Sequence, residues 1–227
     1  CETVAAQIDL TLDQRDRCQI ALSGGSTPAS AYSLLGQERL PWDRVDVVLG
    51  DERWVAADDA SSNAGMLRRT LLAPGPGASA AFHPVPTVEL ESPEASAQAF
   101  ADQLSRLCSG APPVFDVMLL GLGDDGHTAS LFPSSTPEAL RKGLYPEHGE
   151  VVAAARPTVS PVPRISMTLP AILNSRYIAI HITGQSKWST YETAKNGTEI
   201  EEMPVRAILQ QNDVPVDLWW SAENPKG

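Results

Sequence analysis

The sequence predicts an α/β fold: a mostly parallel sheet with helices on both faces, a Rossmann-like three-layer sandwich. Three observations predict it. Short apolar runs alternate with segments of helical periodicity along the chain. Residues 115–120, Phe-Asp-Val-Met-Leu-Leu, are nearly all apolar, as a parallel strand covered on both faces requires. Three such runs end in loops rich in Gly, Ser, Asp and His. In parallel sheets, ligands sit at the carboxyl ends of the strands.

The elements follow in order. Residues 2–16 carry Val4, Ile8 and Leu12 at helical spacing. Residues 18–22 form a short apolar strand that ends in Ser23-Gly24-Gly25-Ser26-Thr27-Pro28. A helix with Ala31, Leu34 and Leu35 on one face comes next, then a strand at 46–49 that runs into Gly50-Asp51-Glu52-Arg53. Ser61 or Ser62 caps a helix extending to Leu72. A Pro/Gly/Ala-rich loop covers 73–81, a short strand 82–85 and a helix 92–107. Strands are expected at 151–155, 164–168, 177–183 and 215–220, with a helix at 185–195.

Composition narrows the class. The chain has 227 residues, 42% hydrophobic and 20% charged, the balance of a folded chain rather than a disordered one. This length suits one domain, here 1–227. Lys and Arg number 17 against 28 Asp and Glu, a net charge of −11, which argues against a nucleic-acid partner held by a basic face. No stretch has the roughly 18–20 apolar residues of a membrane span. Cys1, Cys18 and Cys108 are sparse and odd in number, without C-x-x-C spacing, so reduced thiols in a cytoplasmic protein are expected. No Cys/His cluster or H-E-x-x-H suggests a metal site.

Three loops carry candidate chemistry. Ser23, Gly24, Gly25, Ser26 and Thr27 lie between an apolar strand and a helix. The glycines allow a tight turn and close approach of the backbone. Exposed N–H groups at the helix start make an anion cradle, best suited to phosphate. The second loop, Asp51-Glu52-Arg53, puts three charges directly after an apolar strand, which is costly unless they face a cleft or one another. Arg53 there can bind a carboxylate or phosphate oxygen. The third loop, 121–129, places His127 just past a buried strand with Asp124 and Asp125 before it. That arrangement suits a general base taking a proton from water, with either carboxylate orienting the imidazole. No G-x-S-x-G elbow is present. Arg164 and Lys187 are the remaining cationic candidates, Lys187 again at a helix start after a strand.

Together these loops resemble the 6-phosphogluconolactonase family. Residues 23–28 match its phosphate loop. Asp51-Glu52-Arg53 with Ser62-Asn63-Ala64-Gly65-Met66-Leu67 match its second motif. Gly121-Leu122-Gly123-Asp124-Asp125-Gly126-His127-Thr128-Ala129-Ser130-Leu131-Phe132-Pro133 match its most specific signature. Pro163-Arg164-Ile165-Ser166 with Leu169-Pro170, Gly184 with Lys187, and 215–220 also fit. Family members usually carry a strand before the first helix, so one sheet edge is expected to lack it here. The related glucosamine-6-phosphate deaminases continue the His segment as His-Ile-Ala-Phe-Asn-Glu-Pro, unlike residues 127–133 here.

The resemblance implies hydrolysis of 6-phospho-D-glucono-1,5-lactone to 6-phospho-D-gluconate in the oxidative pentose phosphate pathway. It implies no metal and no cofactor, because a lactone is an activated ester. The substrate is a small molecule, and the pathway's dehydrogenases are candidate partners. Ser23, Gly24, Gly25, Ser26, Thr27, Arg164 and Lys187 would hold the substrate and its phosphate. His127 would act as general base, oriented by Asp125 or Asp51, with Arg53 stabilising the oxyanion or binding substrate hydroxyls. The rival readings are an amino-sugar-phosphate deaminase and a non-catalytic sugar-phosphate sensor. The sensor is disfavoured by the absence of a helix-turn-helix segment and by the acidic charge.

Overall fold

The structure, a computed structural model, describes residues 1–223; the last four positions of the expected domain, 224–227, lie outside the described residues. The chain begins with α1 (Glu2–Gln14), β1 (Cys18–Leu22), α2 (Ser26–Leu35) and β2 (Val45–Leu49). Next come β3 (Asp51–Arg53), α3 (Asn63–Arg69), β4 (Ala81–His83), α4 (Pro93–Leu107) and β5 (Val117–Leu120). After these lie α5 (Pro137–Leu144), β6 (Val152–Ala155), β7 (Arg164–Met167) and α6 (Leu169–Leu173). The last elements are β8 (Ile178–Thr183), α7 (Gln185–Asn196), α8 (Arg206–Leu209) and β9 (Val216–Ser221).

Six strands form one parallel sheet in the order β4-β2-β1-β5-β8-β9. Every residue of β2 and of β5 is buried. Successive side chains point to opposite faces of a strand, so both faces of the sheet are covered there, which explains the unbroken apolar runs. The expected α/β class is therefore found. The core is one cluster centred on Ile20, Leu22, Val47, Leu49, Val117 and Ile180, with Trp42, Tyr32 and Phe100 among its largest buried side chains.

Strand order puts β1 beside β5. From β1 the chain moves outward to β2 and β4, and from β5 it moves the other way to β8 and β9. The loops after β1 and β5 therefore diverge at a topological switch point, where parallel sheets form ligand crevices.

A second sheet was not expected. β3, β7 and β6 make a three-stranded antiparallel sheet. Its strands at 152–155 and 164–167 were anticipated as strands, but Asp51-Glu52-Arg53 reads as a loop in sequence. Three charged residues have no strand propensity of their own; they are extended because they pair with β7 more than a hundred residues later. Gly50 joins the sheets: its N–H donates to Leu22 O (3.0 Å) and its carbonyl accepts from Met167 N (2.8 Å). α4 packs on β6 and β7, and α5 on β6.

Smaller differences have local causes. β4 stops at His83 because Pro84 has no N–H to donate. α3 is shorter than expected and is capped by Ser62, whose Oγ accepts from Gly65 N (3.0 Å). α2 has Gly25 at its N-cap, φ +104°, with no side-chain cap from Ser26 or Thr27. Among the described residues no helix is long and apolar enough to cross a membrane.

Candidate active site

The loops after β1, β2, β5 and β8 all leave the carboxyl edge of the parallel sheet. The first, Ser23-Gly24-Gly25, is pinned by Tyr32, whose buried hydroxyl donates to Ser23 O (2.9 Å). Burial pushes the Tyr32 phenol far above its ordinary value, so it stays a donor. Ser23 Oγ is buried and has no hydrogen-bond partner among the described residues. Gly24 faces Asn63: a Cβ there would stand 1.8 Å from Asn63 Oδ1. Only glycine fits against that side chain.

The loop after β5 carries His127. Its Nδ1 lies 2.5 Å from Asp125 Oδ1, and its backbone N–H donates to the same oxygen at 3.1 Å. Burial works to raise the Asp125 pKa, but the hydrogen bonds and charge of His127 outweigh it and hold the carboxyl below the usual range. The ionised carboxylate selects the tautomer with the proton on Nδ1, leaving the Nε2 lone pair free. The imidazole packs on Phe132, ring centroids 4.1 Å apart. Gly123 makes room for it, since a Cβ there would fall 2.0 Å from Nδ1.

Asp51 lies elsewhere. Its Oδ2 accepts from Ser130 Oγ at 2.6 Å, and Asn63 Nδ2 donates to its carbonyl at 2.9 Å. The residue is buried, and no hydrogen bond joins it to His127 among the described residues. Glu52 points from the opposite face of β3. It accepts from Arg53 N, Asn63 N and Ala64 N, each at 2.7 Å, and from Ser62 Oγ at 3.2 Å. It thus satisfies the start of α3. Burial raises its pKa, with those amides opposing.

Arg53 and Arg164 are register partners across β3 and β7. Neither guanidinium meets a carboxylate within salt-bridge distance among the described residues. Arg53 donates to Ser61 O, and its buried Nε has no partner. Arg164 donates to Val162 O (2.5 Å) and Ser160 Oγ (3.3 Å). Burial first, then the charge of Arg53, lowers the Arg164 pKa. Lys187, in the first turn of α7, instead pairs with Asp124 at 2.9 Å.

The structure therefore groups the expected residues into three sets: His127 with Asp125, Arg53 with Arg164 on the strand pair that also holds Asp51, and Lys187 with Asp124. Gly24 and Ser23 line the neighbouring turn, and Ser26 and Thr27 open α2. Sequence reasoning assigned no role to Asn63, Ser130 or Ser166, and it offered Asp124 as an orienter of His127, whereas the structure pairs Asp124 with Lys187. Among the described residues no three His, Cys, Asp or Glu side chains come together as a cation site.

Comparison with known proteins gives the family. A family model described as glucosamine-6-phosphate isomerases/6-phosphogluconolactonase matches residues 1–220. The 6-phosphogluconolactonase of Pseudomonas putida is 37% identical over 218 residues, covering 96% of this chain and 85% of that protein. That of Caulobacter vibrioides is 38% identical over 207 residues, covering 90% and 84%. Among solved structures, the 6-phosphogluconolactonase of Shewanella baltica is similar with a TM-score of 0.90 at 38% identity, covering 97% and 91%. That of Trypanosoma brucei has a TM-score of 0.78 at 31% identity, covering 97% and 89%.

Proposed function

The chain belongs to the glucosamine-6-phosphate isomerase/6-phosphogluconolactonase family, and from that premise we propose that it hydrolyses 6-phospho-D-glucono-1,5-lactone to 6-phospho-D-gluconate without a metal. The observation that carries the mechanism is the 2.5 Å contact between His127 Nδ1 and Asp125, which leaves Nε2 as the proton acceptor.

In this reading the turn at Gly24–Thr27, Arg164 and Lys187 hold the 6-phosphate. The cost of keeping two half-buried guanidiniums without a carboxylate supports an anionic ligand beside them. His127 Nε2 takes a proton from water as its oxygen attacks C1. Arg53 stabilises the oxyanion that forms. When the tetrahedral intermediate collapses, the C1–ring-oxygen bond breaks and the imidazolium returns its proton to the ring oxygen. The new carboxyl group then ionises to solvent. Asp125 fixes the imidazole, while Asp51 anchors the strand pair rather than touching the base. General base catalysis contributes about 10²- to 10⁴-fold, and positioning contributes much of the remainder.

The same reading makes the chain one domain acting in the cytoplasm on a small molecule. The net charge of −11 supports the absence of a nucleic-acid partner. The pathway's dehydrogenases remain its proposed partners, to be sought by co-purification. The reading is tested by hydrolysis of freshly prepared lactone, the spontaneous rate subtracted. Release of ammonia from glucosamine-6-phosphate, with no lactone turnover, would move the chain to the deaminase branch.

A further inference from the structure

Ser130 lies three residues past His127 and is 1% exposed. Both halves of the residue are engaged. Its hydroxyl donates to Asp51 Oδ2 at 2.6 Å, and its backbone N–H donates to Ser166 Oγ at 3.1 Å. Ser166 Oγ in turn donates a hydrogen bond to Met167 O at 2.9 Å. Asp51 and Ser166 are register partners on β3 and β7. One residue of the His127 loop therefore grips both members of a single cross-strand pair.

That pair stands two residues from the next one on the same face, Arg53 opposite Arg164. The step along a strand is about 7 Å. We infer that Ser130 is a positioning residue: its two hydrogen bonds fix the His127 loop against the strand pair that carries Arg53 and Arg164. The inference rests on the proposed lactone reaction, in which His127 and the guanidiniums must act on one substrate.

Two further features support it. Ala129, immediately before Ser130, has φ +46°, a left-handed conformation unfavourable for a residue with a Cβ. Such strain persists only where the surroundings over-determine it. Thr128 Oγ1 donates to Gly121 O at 2.9 Å and Leu131 N to Thr128 O at 3.0 Å, so the turn is held on both sides. The chemistry of the contact also matters. Leu131, Ile165 and Met167 nearby pack by apolar contact, which tolerates small slips. A buried hydroxyl–carboxylate bond fixes direction and distance, and small misplacements at a reacting centre cost large factors in rate.

The test measures kcat and KM for wild type, Ser130→Ala, Ser130→Thr and Ser166→Ala, with melting curves for each. Ser130→Ala is expected to lower kcat about 10- to 100-fold with little change in KM. Ser130→Thr restores most of the rate. Ser166→Ala, which removes one bond only, is expected to show a smaller loss in kcat; it decides the matter if Ser130→Ala does not fold. Wild-type kcat in Ser130→Ala, or in Ser166→Ala should that be the variant that folds, overturns the inference while leaving the lactone reaction standing. Absence of turnover in the wild type overturns both.

Discussion

Arg53 and Arg164 face one another across an antiparallel ladder, and neither makes a salt bridge to a carboxylate among the described residues. Like charges directly opposite each other destabilise a strand pair. The free protein therefore carries a repulsion that a bound anion removes. Arg164→Ala should leave the melting temperature of the free protein unchanged or raised. It should also weaken 6-phosphogluconate binding about 10- to 100-fold and shrink the rise in melting temperature that this ligand gives. Calorimetry and thermal melts with and without ligand check both parts.

The glycines of the His127 loop are predicted to differ sharply. Gly123→Ala drives a Cβ to 2.0 Å from His127 Nδ1, so the imidazole must leave Asp125. Activity should fall by about 100-fold or more in a protein that still melts cooperatively. Gly121→Ala meets nothing within 4 Å and should behave as wild type. Equal activities for the two variants would contradict the placement of the ring.

Glu52 is predicted to matter for stability. Its two oxygens accept from three backbone amides and a hydroxyl. Glu52→Gln turns one acceptor into a donor facing a donor. The cost should be about 1–3 kcal/mol, read by denaturant unfolding, and α3 with Asn63 should loosen. An unchanged unfolding midpoint would show that these amides are satisfied another way.

How much of this was legible in sequence depends on the range of each interaction. β1, β2, β5 and β8 were visible because central parallel strands must be apolar on both faces. The turn at 23–25 was visible because Gly-Gly before a helix has a local cause. β3 was not, since Asp-Glu-Arg becomes a strand only by pairing with 164–166. The partner of His127 stayed open among Asp51, Asp124 and Asp125. Asp125 is two residues away and needs only a turn to reach the ring, whereas the distance to Asp51 is set by both sheets together. Ser130 and Ser166 gave no signal, because a lone serine becomes informative only when its neighbours in space are known.

The most direct measurement is turnover of freshly prepared 6-phospho-D-glucono-1,5-lactone by wild type and His127→Ala, with the uncatalysed opening subtracted. The account predicts rapid hydrolysis by wild type and a loss of about 10²- to 10⁴-fold in the folded variant. Undiminished turnover by His127→Ala would contradict it, and the proton acceptor would then have to be a group other than the imidazole held by Asp125.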